Sequence, residues 1–187
     1  MVQVSYNAPT EQVPKFKWFY AVFTCLGLVI SVIIAQIIAT FSMYAAFFGV
    51  LTKQRVHPAS HDKIVRSYRS QWRLATYLMQ WRNDVPAMPT TGAIDDGADR
   101  ASMSIAYGGE GLARFGPFIK FFKSIPDIIG VFVAMILAYI AMIIGIIGIV
   151  TKGRFPEAQQ TKIVDFYGKQ TRVAAYLLLT DVKPQPA

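Results

Sequence analysis

The sequence predicts an all-α membrane protein with two transmembrane helices in an inverted tandem repeat, each followed by a basic amphipathic interfacial helix, and with short extended arms. Its 187 residues combine a mean hydropathy of +0.37 with only 16% charged residues, which soluble domains rarely do. No charged residue occurs between Trp18 and Thr52 or between Ile128 and Thr151. Each run exceeds the roughly 20 residues that cross about 30 Å of hydrocarbon, so both runs are predicted to be membrane helices.

A pattern of small residues recurs in both apolar runs with an offset of 99 residues. Its members are Ser31, Ala35, Ala39, Ser42, Ala46 and Gly49 in the first run and Gly130, Ala134, Ala138, Ala141, Gly145 and Gly148 in the second. They share one helix face, where small residues let another backbone approach closely, as in helix packing within lipid. Alanine and glycine are common in membrane segments, but identical spacing favours a packing stripe in a duplicated chain.

The chain divides into two repeats and a linker. Repeat 1 occupies 1–82 and consists of an arm, a membrane helix at about 18–51 and an amphipathic helix at about 60–82. The linker occupies 83–101. Repeat 2 occupies 102–187 and consists of an arm, a membrane helix at about 126–150 and an amphipathic helix at about 156–180. Alternating residues predict that the arms are short strands or extended segments. Proline, glycine and acidic residues predict that the linker is a solvated loop.

The first membrane helix is unusually long. Trp18, Phe19 and Tyr20 directly follow Lys17, a combination typical of anchors at the membrane interface. A continuous helix from Trp18 to Leu51 would measure about 51 Å, so it must tilt, kink or extend beyond the hydrocarbon. A re-entrant hairpin of two short helices is the alternative. It is disfavoured because no proline or paired glycine interrupts the middle of the run.

The second membrane helix is predicted to begin near Pro126. Ser124 and Asp127 are the candidates for its N-cap. The uncharged core that follows is about 24 residues long, which fits one crossing and not two.

A basic amphipathic segment follows each membrane helix. In the first segment Ile64, Tyr68 and Ala75 lie on one helical face, and Ile163, Tyr167 and Ala174 repeat this pattern 99 residues later. Such helices would lie in the headgroup plane with their apolar face in lipid. The cations predicted to contact lipid headgroups are Lys63, Arg66, Arg69, Arg73, Lys162, Lys169 and Arg172. Packing of the apolar face on a partner subunit is an equally good alternative.

The membrane topology has two possible solutions. If each repeat crosses once, the two copies are inverted relative to each other. Cations around the first span then place the central segment inside, whereas those around the second span are nearly balanced. Two membrane-dipping hairpins would instead put every cation on one side, and would let Val2 to Tyr6 pair with Ser104 to Tyr107.

The second repeat resembles a known family. The residues that carry the resemblance are Thr151, Gly153, Arg154, Phe155, Pro156, Arg172, Val173, Tyr176, Leu179, Thr180 and Asp181. They are similar to the prokaryotic membrane domain of unknown function numbered 4389. The first repeat diverges, since Gln54 replaces the glycine, His57 is an extra residue before Pro58, and Trp81 stands where Thr180 does. The resemblance implies an integral membrane protein and brings no activity.

No motif predicts catalysis, a cofactor or a metal. His57 and His61 are four positions apart, but Pro58 lies between them and no third ligand is near in sequence. The glycines form no phosphate-binding pattern. Gln36 is the most polar residue within either membrane run, and its amide is expected to form a hydrogen bond to another helix.

The function that these observations favour is that of a non-enzymatic accessory or scaffold subunit of a larger membrane complex. The partners expected are membrane lipids and either other integral membrane subunits or further copies of the chain. The net charge of +8 is assigned to lipid headgroups and not to nucleic acid. The alternative is a self-assembling lipid-binding or membrane-shaping protein, and a small transporter or channel component comes third. The expected location is the plasma or inner membrane, as a multi-pass protein.

Overall fold

The computed structural model describes residues 2–14, 17–89 and 99–180, apart from the side chains of Trp18 and Val22. The described elements are β1 (Val2–Tyr6), α1 (Lys17–Thr24), α2 (Leu26–Lys53), α3 (Pro58–Leu78), β2 (Ala101–Ile105), α4 (Gly116–Lys123), α5 (Ile125–Lys152) and α6 (Glu157–Leu178). Of the described residues, 68% are helical, and α2 and α5 are long and apolar enough to cross a membrane. Most of the predicted linker, and Asp181 of the family motif, lie outside the described residues.

The two halves of the chain have the same order of elements. Each of β2, α4, α5 and α6 begins 99 residues after its counterpart β1, α1, α2 or α3. Packing also corresponds, because α2 contacts α3 as α5 contacts α6, and α3 contacts β2 as α6 contacts β1. The offset equals the one found in the small-residue pattern.

The predicted helix at 18–51 is divided at Cys25 into α1 and α2. At the corresponding position of the second half, Ser124 separates α4 from α5. Hydrogen bonds continue past both sites, since the backbone N–H of Cys25 donates to Ala21 O at 3.1 Å and that of Ser124 to Lys120 O at 2.8 Å. Beyond Cys25, α2 then runs for 28 residues without a break, about 42 Å. The alternative of two short helices within this run is therefore wrong.

A tight turn folds α3 back along α2, and another folds α6 back along α5. The first turn places Gln54 in the left-handed region at φ 54°, where the second has Gly153 at φ 70°. The side chain of His57 caps α3 by accepting a hydrogen bond from the Ala59 N–H at 3.2 Å. Each half is thus a helical hairpin.

The strands β1 and β2 form a two-stranded antiparallel ribbon, the pairing of arms that the membrane-dipping alternative allowed. Val4 lies opposite Met103, and Val2 opposite Ile105. Val4 and Met103 are also counterparts at the offset of 99 residues. Pairing of counterparts in an antiparallel ribbon is the geometry of a local twofold axis through the Val4 and Met103 pair.

The fold has three layers, namely the ribbon, then α3 with α6, then α2 with α5. On α3, Arg69 donates to Met103 O of the ribbon, whereas Ser67 donates to Gln36 of α2. Positions 67 and 69 lie on nearly opposite sides of a helix, so α3 is held between the ribbon and α2. The helix α6 packs likewise on β1 and α5.

The two long helices run in opposite directions. The carboxyl end of α3 lies at the beginning of α2, where Tyr77 packs with Ala21 and Leu28. The same end lies beside the turn that follows α5, because the rings of Trp81 and Phe155 are 5.7 Å apart. Hence α2 begins where α5 ends.

The predicted interfacial helix at 60–82 corresponds to α3, which lies inside the fold. Ile64, Val65 and Trp72 are at most 1% exposed and pack with the ribbon, with α2 and with α6. These side chains of its apolar face therefore contact the protein's own chain. Amphipathic periodicity alone cannot distinguish these surroundings.

Candidate functional site

The most prominent surface feature is a set of large apolar side chains exposed on α2 and α5, called here the outer apolar surface. On α2 they are Leu26, Ile30, Ile33, Ile34, Ile37, Ile38, Phe41, Tyr44 and Phe48; on α5 they are Ile125, Ile129, Phe132, Val133, Ile136, Leu137, Tyr139, Ile140, Ile143, Ile144, Ile146, Ile147 and Val150. Soluble monomers rarely expose a contiguous apolar patch larger than a few hundred Å². This surface is the leading candidate for contact with lipid.

The small-residue stripes lie on the opposite, inner side of α2 and α5. Ala39, Ser42, Ala46, Ala134, Ala138, Ala141, Gly145 and Gly148 are buried, Ser31, Ala35 and Gly49 are half-buried, and Gly130 is exposed. The helix that packs on α2 is α3, and the helix that packs on α5 is α6. The stripes therefore bring each long helix close to the helix that follows it, and not to the other long helix.

Two glycines of the α5 stripe admit bulky residues of the following turn. A Cβ at position 145 would overlap the ring of Phe155, and a Cβ at position 148 would lie 2.7 Å from Pro156. In the first half the counterparts of Gly145 and Phe155 are Ala46 and Val56, both at most 1% exposed. A larger residue on the helix is thus matched by a smaller one on the turn.

The predicted headgroup cations divide into exposed and buried groups. Lys63, Arg66 and Lys162 are exposed, while Arg172 is half-buried. The half-buried Lys169 forms an ion pair with Asp165 at 2.9 Å. These five side chains remain candidates for contact with headgroups.

Arg69 and Arg73 do not face lipid headgroups, because both are 0% exposed. The Nε of Arg69 donates to Met103 O at 2.7 Å, and Nη1 of Arg73 donates to Ala87 O at 3.1 Å. A two-stranded ribbon leaves carbonyls unpaired along its outer edges, and buried carbonyls require donors. Sequence reasoning missed this role, since the need for a donor arises only when β2 packs against α3.

Gln36 joins α2 to α3 as expected. Its Oε1 accepts a hydrogen bond from Ser67 Oγ at 3.0 Å and another from Gln71 Nε2. Gln36 is itself exposed, so this polar contact lies at the border between the outer apolar surface of α2 and the charged side of α3.

Exposed cations lie beside the middle of α2. Lys63 and Arg66 share a shallow depression with Ala35 and Ile38. Since α2 runs from residue 26 to residue 53, these positions are near its midpoint. The charged flank of α3 is therefore level with the centre of the most apolar helix face in the first half.

The histidines do not form a shared ligand site. His57 is the exposed cap of α3, whereas His61 is 1% exposed and its ring packs edge-on against Tyr107 with centroids 5.3 Å apart. Burial lowers the pKa of His61 below its usual value of 6.5. Among the residues the structure describes, no three His, Cys, Asp or Glu side chains are grouped to hold a metal.

A charged network closes the end of the fold beside Trp81. The buried Arg82 pairs with Asp84 and Asp99, and Arg100 pairs with Glu11. The hydrogen bond from Arg100 lowers the pKa of Glu11. These ion pairs hold the segment after β1 against the segments that follow α3 and precede β2.

Comparison with protein families, with curated proteins and with solved structures found no match.

Proposed function

We propose that the protein is a non-enzymatic, lipid-binding membrane scaffold that inserts the outer apolar surface into a bilayer. The observation that supports this most is the exposure of large apolar side chains along the full length of the outer face of α2 and α5. Transfer of each such side chain from water to hydrocarbon is worth roughly 1.5 to 3 kcal/mol. Insertion of this layer is therefore strongly favourable.

The charge distribution favours insertion from one side of the bilayer. An upright α2 would hold Lys63 and Arg66 near the bilayer centre, at a cost of roughly 2.5 to 3.5 kcal/mol or more for each charge. If α2 and α5 instead lie in one leaflet, these cations reach the headgroups. Polar residues of the ribbon, among them Gln3, Ser5 and Ser102, then face away from the lipid. We propose this dipping arrangement in place of two crossings.

The proposal includes a duplicated unit. The common offset of 99 residues and the pairing of Val4 with Met103 support two copies related by a twofold axis. An axis along the membrane normal places α2 and α5 side by side at the same depth, running in opposite directions. Membership of the membrane domain family numbered 4389 belongs to the same proposal and rests on the motif around Gly153.

An accessory subunit of a larger membrane complex is the second candidate. It is favoured by Gly27 on α2 and Gly130 on α5, because a Cβ at either position would meet nothing within 4 Å. Small residues at open positions allow a second membrane helix to approach closely. The two candidates differ in whether foreign subunits are needed.

Flotation with liposomes tests the insertion of the outer apolar surface. Phe41 is 70% exposed on α2 and its counterpart Ile140 is 49% exposed on α5. The double variant Phe41→Glu with Ile140→Glu is expected to float less completely than the wild type, because two carboxylates would enter hydrocarbon. The matched control is Val85→Glu, at a residue 48% exposed outside both helices, which is expected to float. Unchanged flotation of the double variant would contradict the proposal.

Purification in mild detergent separates the two candidates. A scaffold is expected to yield the chain alone or as a homo-oligomer that changes the shape of liposomes. Co-purification of other membrane proteins at fixed stoichiometry would instead establish the accessory subunit.

A further inference from the structure

Two apolar clefts lie at corresponding places in the two halves. The α5 cleft has a volume of about 580 Å³ and the α2 cleft one of about 540 Å³. Ala75, Met142 and Tyr167 line the α5 cleft, and their counterparts Ala174, Met43 and Tyr68 line the α2 cleft. Both volumes fall within the range of small-molecule sites, roughly 300 to 1,000 Å³.

Both clefts are continuous with the outer apolar surface. The exposed Ile146 and Val150 belong to that surface and also line the α5 cleft. Tyr44 and Phe48 do the same at the α2 cleft. When the surface is in lipid, hydrocarbon is therefore the medium at each entrance, and an apolar cleft of this size accepts a hydrocarbon chain.

One residue distinguishes the clefts. Gln80 lines the α5 cleft, whereas the corresponding residue of the α2 cleft is Leu179. Gln80 is only 4% exposed, and its Oε1 has no hydrogen-bond partner among the described residues. Its backbone is held at φ 60°, in the left-handed region, by an N–H bond to Tyr77 O at 2.9 Å. A buried amide oxygen without a partner is uncommon in folded proteins.

We propose that the α5 cleft binds a single-chain amphiphile with a hydroxyl group, whose chain fills the cleft and whose hydroxyl pairs with the amide of Gln80. A hydroxyl both donates and accepts, so it pairs with the amide in either orientation. The α2 cleft has Leu179 at this position and takes a hydrocarbon chain without such a partner. This inference rests on the proposed insertion, because the ligand enters from lipid.

The test compares two probes that differ only in the hydroxyl. Full-length protein in phosphatidylcholine nanodiscs is given 2-bromoundecan-1-ol or 2-bromoundecane at equal mole fractions. The bromine stands next to the hydroxyl position, so quenching of tryptophan fluorescence reports binding beside Gln80 and the adjacent buried Trp81. The wild type is expected to bind the alcohol about tenfold more tightly than the alkane, the effect of one hydrogen bond. Equal binding of the two probes, or quenching that does not saturate, would overturn the inference.

Two substitutions assign the preference to Gln80. Gln80→Gly suits the left-handed backbone and removes the amide, so the preference should fall to about onefold while alkane binding remains. Gln80→Leu reproduces the residue of the α2 cleft and should have the same effect. Ala75→Phe fills the α5 cleft and should remove saturable alcohol binding, whereas Ala174→Phe, the matched change in the α2 cleft, should leave it unchanged. A preference that survives in both Gln80 variants would overturn the assignment.

Flotation of the same proteins distinguishes failure of the cleft inference from failure of the proposed membrane insertion. Wild type that floats with liposomes but shows no preference for the alcohol would refute the cleft inference alone. A wild type that prefers the alcohol in nanodiscs, together with a Phe41→Glu and Ile140→Glu double variant that floats like the wild type, would refute the proposed insertion through the outer apolar surface and leave the cleft inference supported.

Discussion

At the scale of single residues, the turns that close the two hairpins show what a left-handed backbone costs. Gln54 and Gly153 occupy corresponding positions after α2 and α5, with φ of 54° and 70°. The left-handed conformation is unfavourable by roughly 1 to 2 kcal/mol for a residue with a Cβ, and it costs glycine almost no free energy. The first hairpin thus holds strain that the second avoids.

Exchange of residues at this position tests that cost. Gln54→Gly is expected to raise the free energy of unfolding by about 1 kcal/mol, and Gly153→Ala to lower it by about as much. The second change adds no clash, because the nearest atom to a new Cβ is Val13 O at 4.0 Å. Thermal unfolding in detergent, followed by circular dichroism, measures both. A destabilised Gln54→Gly protein would contradict the interpretation.

His61 should make stability depend on pH. Because burial lowers its pKa below 6.5, the unfolded chain takes up a proton before the folded one does. Stability is therefore full above pH 6.5 and falls as the pH drops below that value. The lowered pKa values of Glu11 and Asp84 start from 4.5 and 3.8, so these groups titrate at lower pH.

The variant His61→Gln tests this pH dependence. Glutamine is the residue at the corresponding position 160, where it is also buried. Between about pH 7.5 and about pH 5.5 the melting temperature of the wild type should fall, and that of the variant should fall less. Equal falls in the two proteins would show that His61 is not the group responsible.

At the scale of elements, the small-residue stripes set how closely each long helix approaches the turn that follows it. The second hairpin combines Gly145 with Phe155, and the first combines Ala46 with Val56. Close-packed interiors tolerate exchanges that conserve total volume better than single changes do. The two hairpins are therefore two solutions to one packing problem.

A double-mutant cycle tests this complementarity. Gly145→Ala should lower the free energy of unfolding by roughly 1 to 3 kcal/mol, because the new methyl group overlaps the Phe155 ring. Phe155→Val alone should also destabilise, since it leaves a cavity. Combining them recreates the pair of the first hairpin and should recover part of the loss. Strictly additive losses, measured by thermal unfolding, would refute the coupling.

Some elements could be predicted from the sequence, and the burial of certain side chains could not. The apolar runs of α2 and α5 and the arms were predictable, because each depends on local periodicity or on the absence of charge. The burial of Arg69 and Arg73 was not, since it depends on β2 reaching α3 from about 30 residues further along the chain. The role proposed for Gln80 had no sequence signal, because an unpaired amide oxygen is visible only once the cleft around it has formed.

At the scale of the whole molecule, the proposed insertion depends on the order of the three layers. The ribbon presents Gln3 and serine side chains on its outer face, and the opposite layer presents α2 and α5. One outer layer is therefore polar and the opposite outer layer is apolar, so the protein as a whole is amphipathic. We therefore expect one face to enter a single leaflet, although either long helix has the length to cross.

The ends of α2 and α5 distinguish insertion into one leaflet from crossing. Lys53 and Lys152 are the exposed last residues of helices that run in opposite directions. If both helices crossed the membrane, these two ends would lie on opposite sides. If both helices lie in one leaflet, the ends lie on the same side.

The decisive measurement is therefore the sidedness of single cysteines at these two ends. Cys25, the one cysteine of the chain, is replaced by serine, the residue at the corresponding position 124, and Lys53→Cys or Lys152→Cys is then introduced. A membrane-impermeant maleimide is applied to sealed vesicles of known orientation, with permeabilised vesicles as the control. Labelling of both cysteines from the same side is the predicted result, and labelling from opposite sides would contradict insertion into a single leaflet.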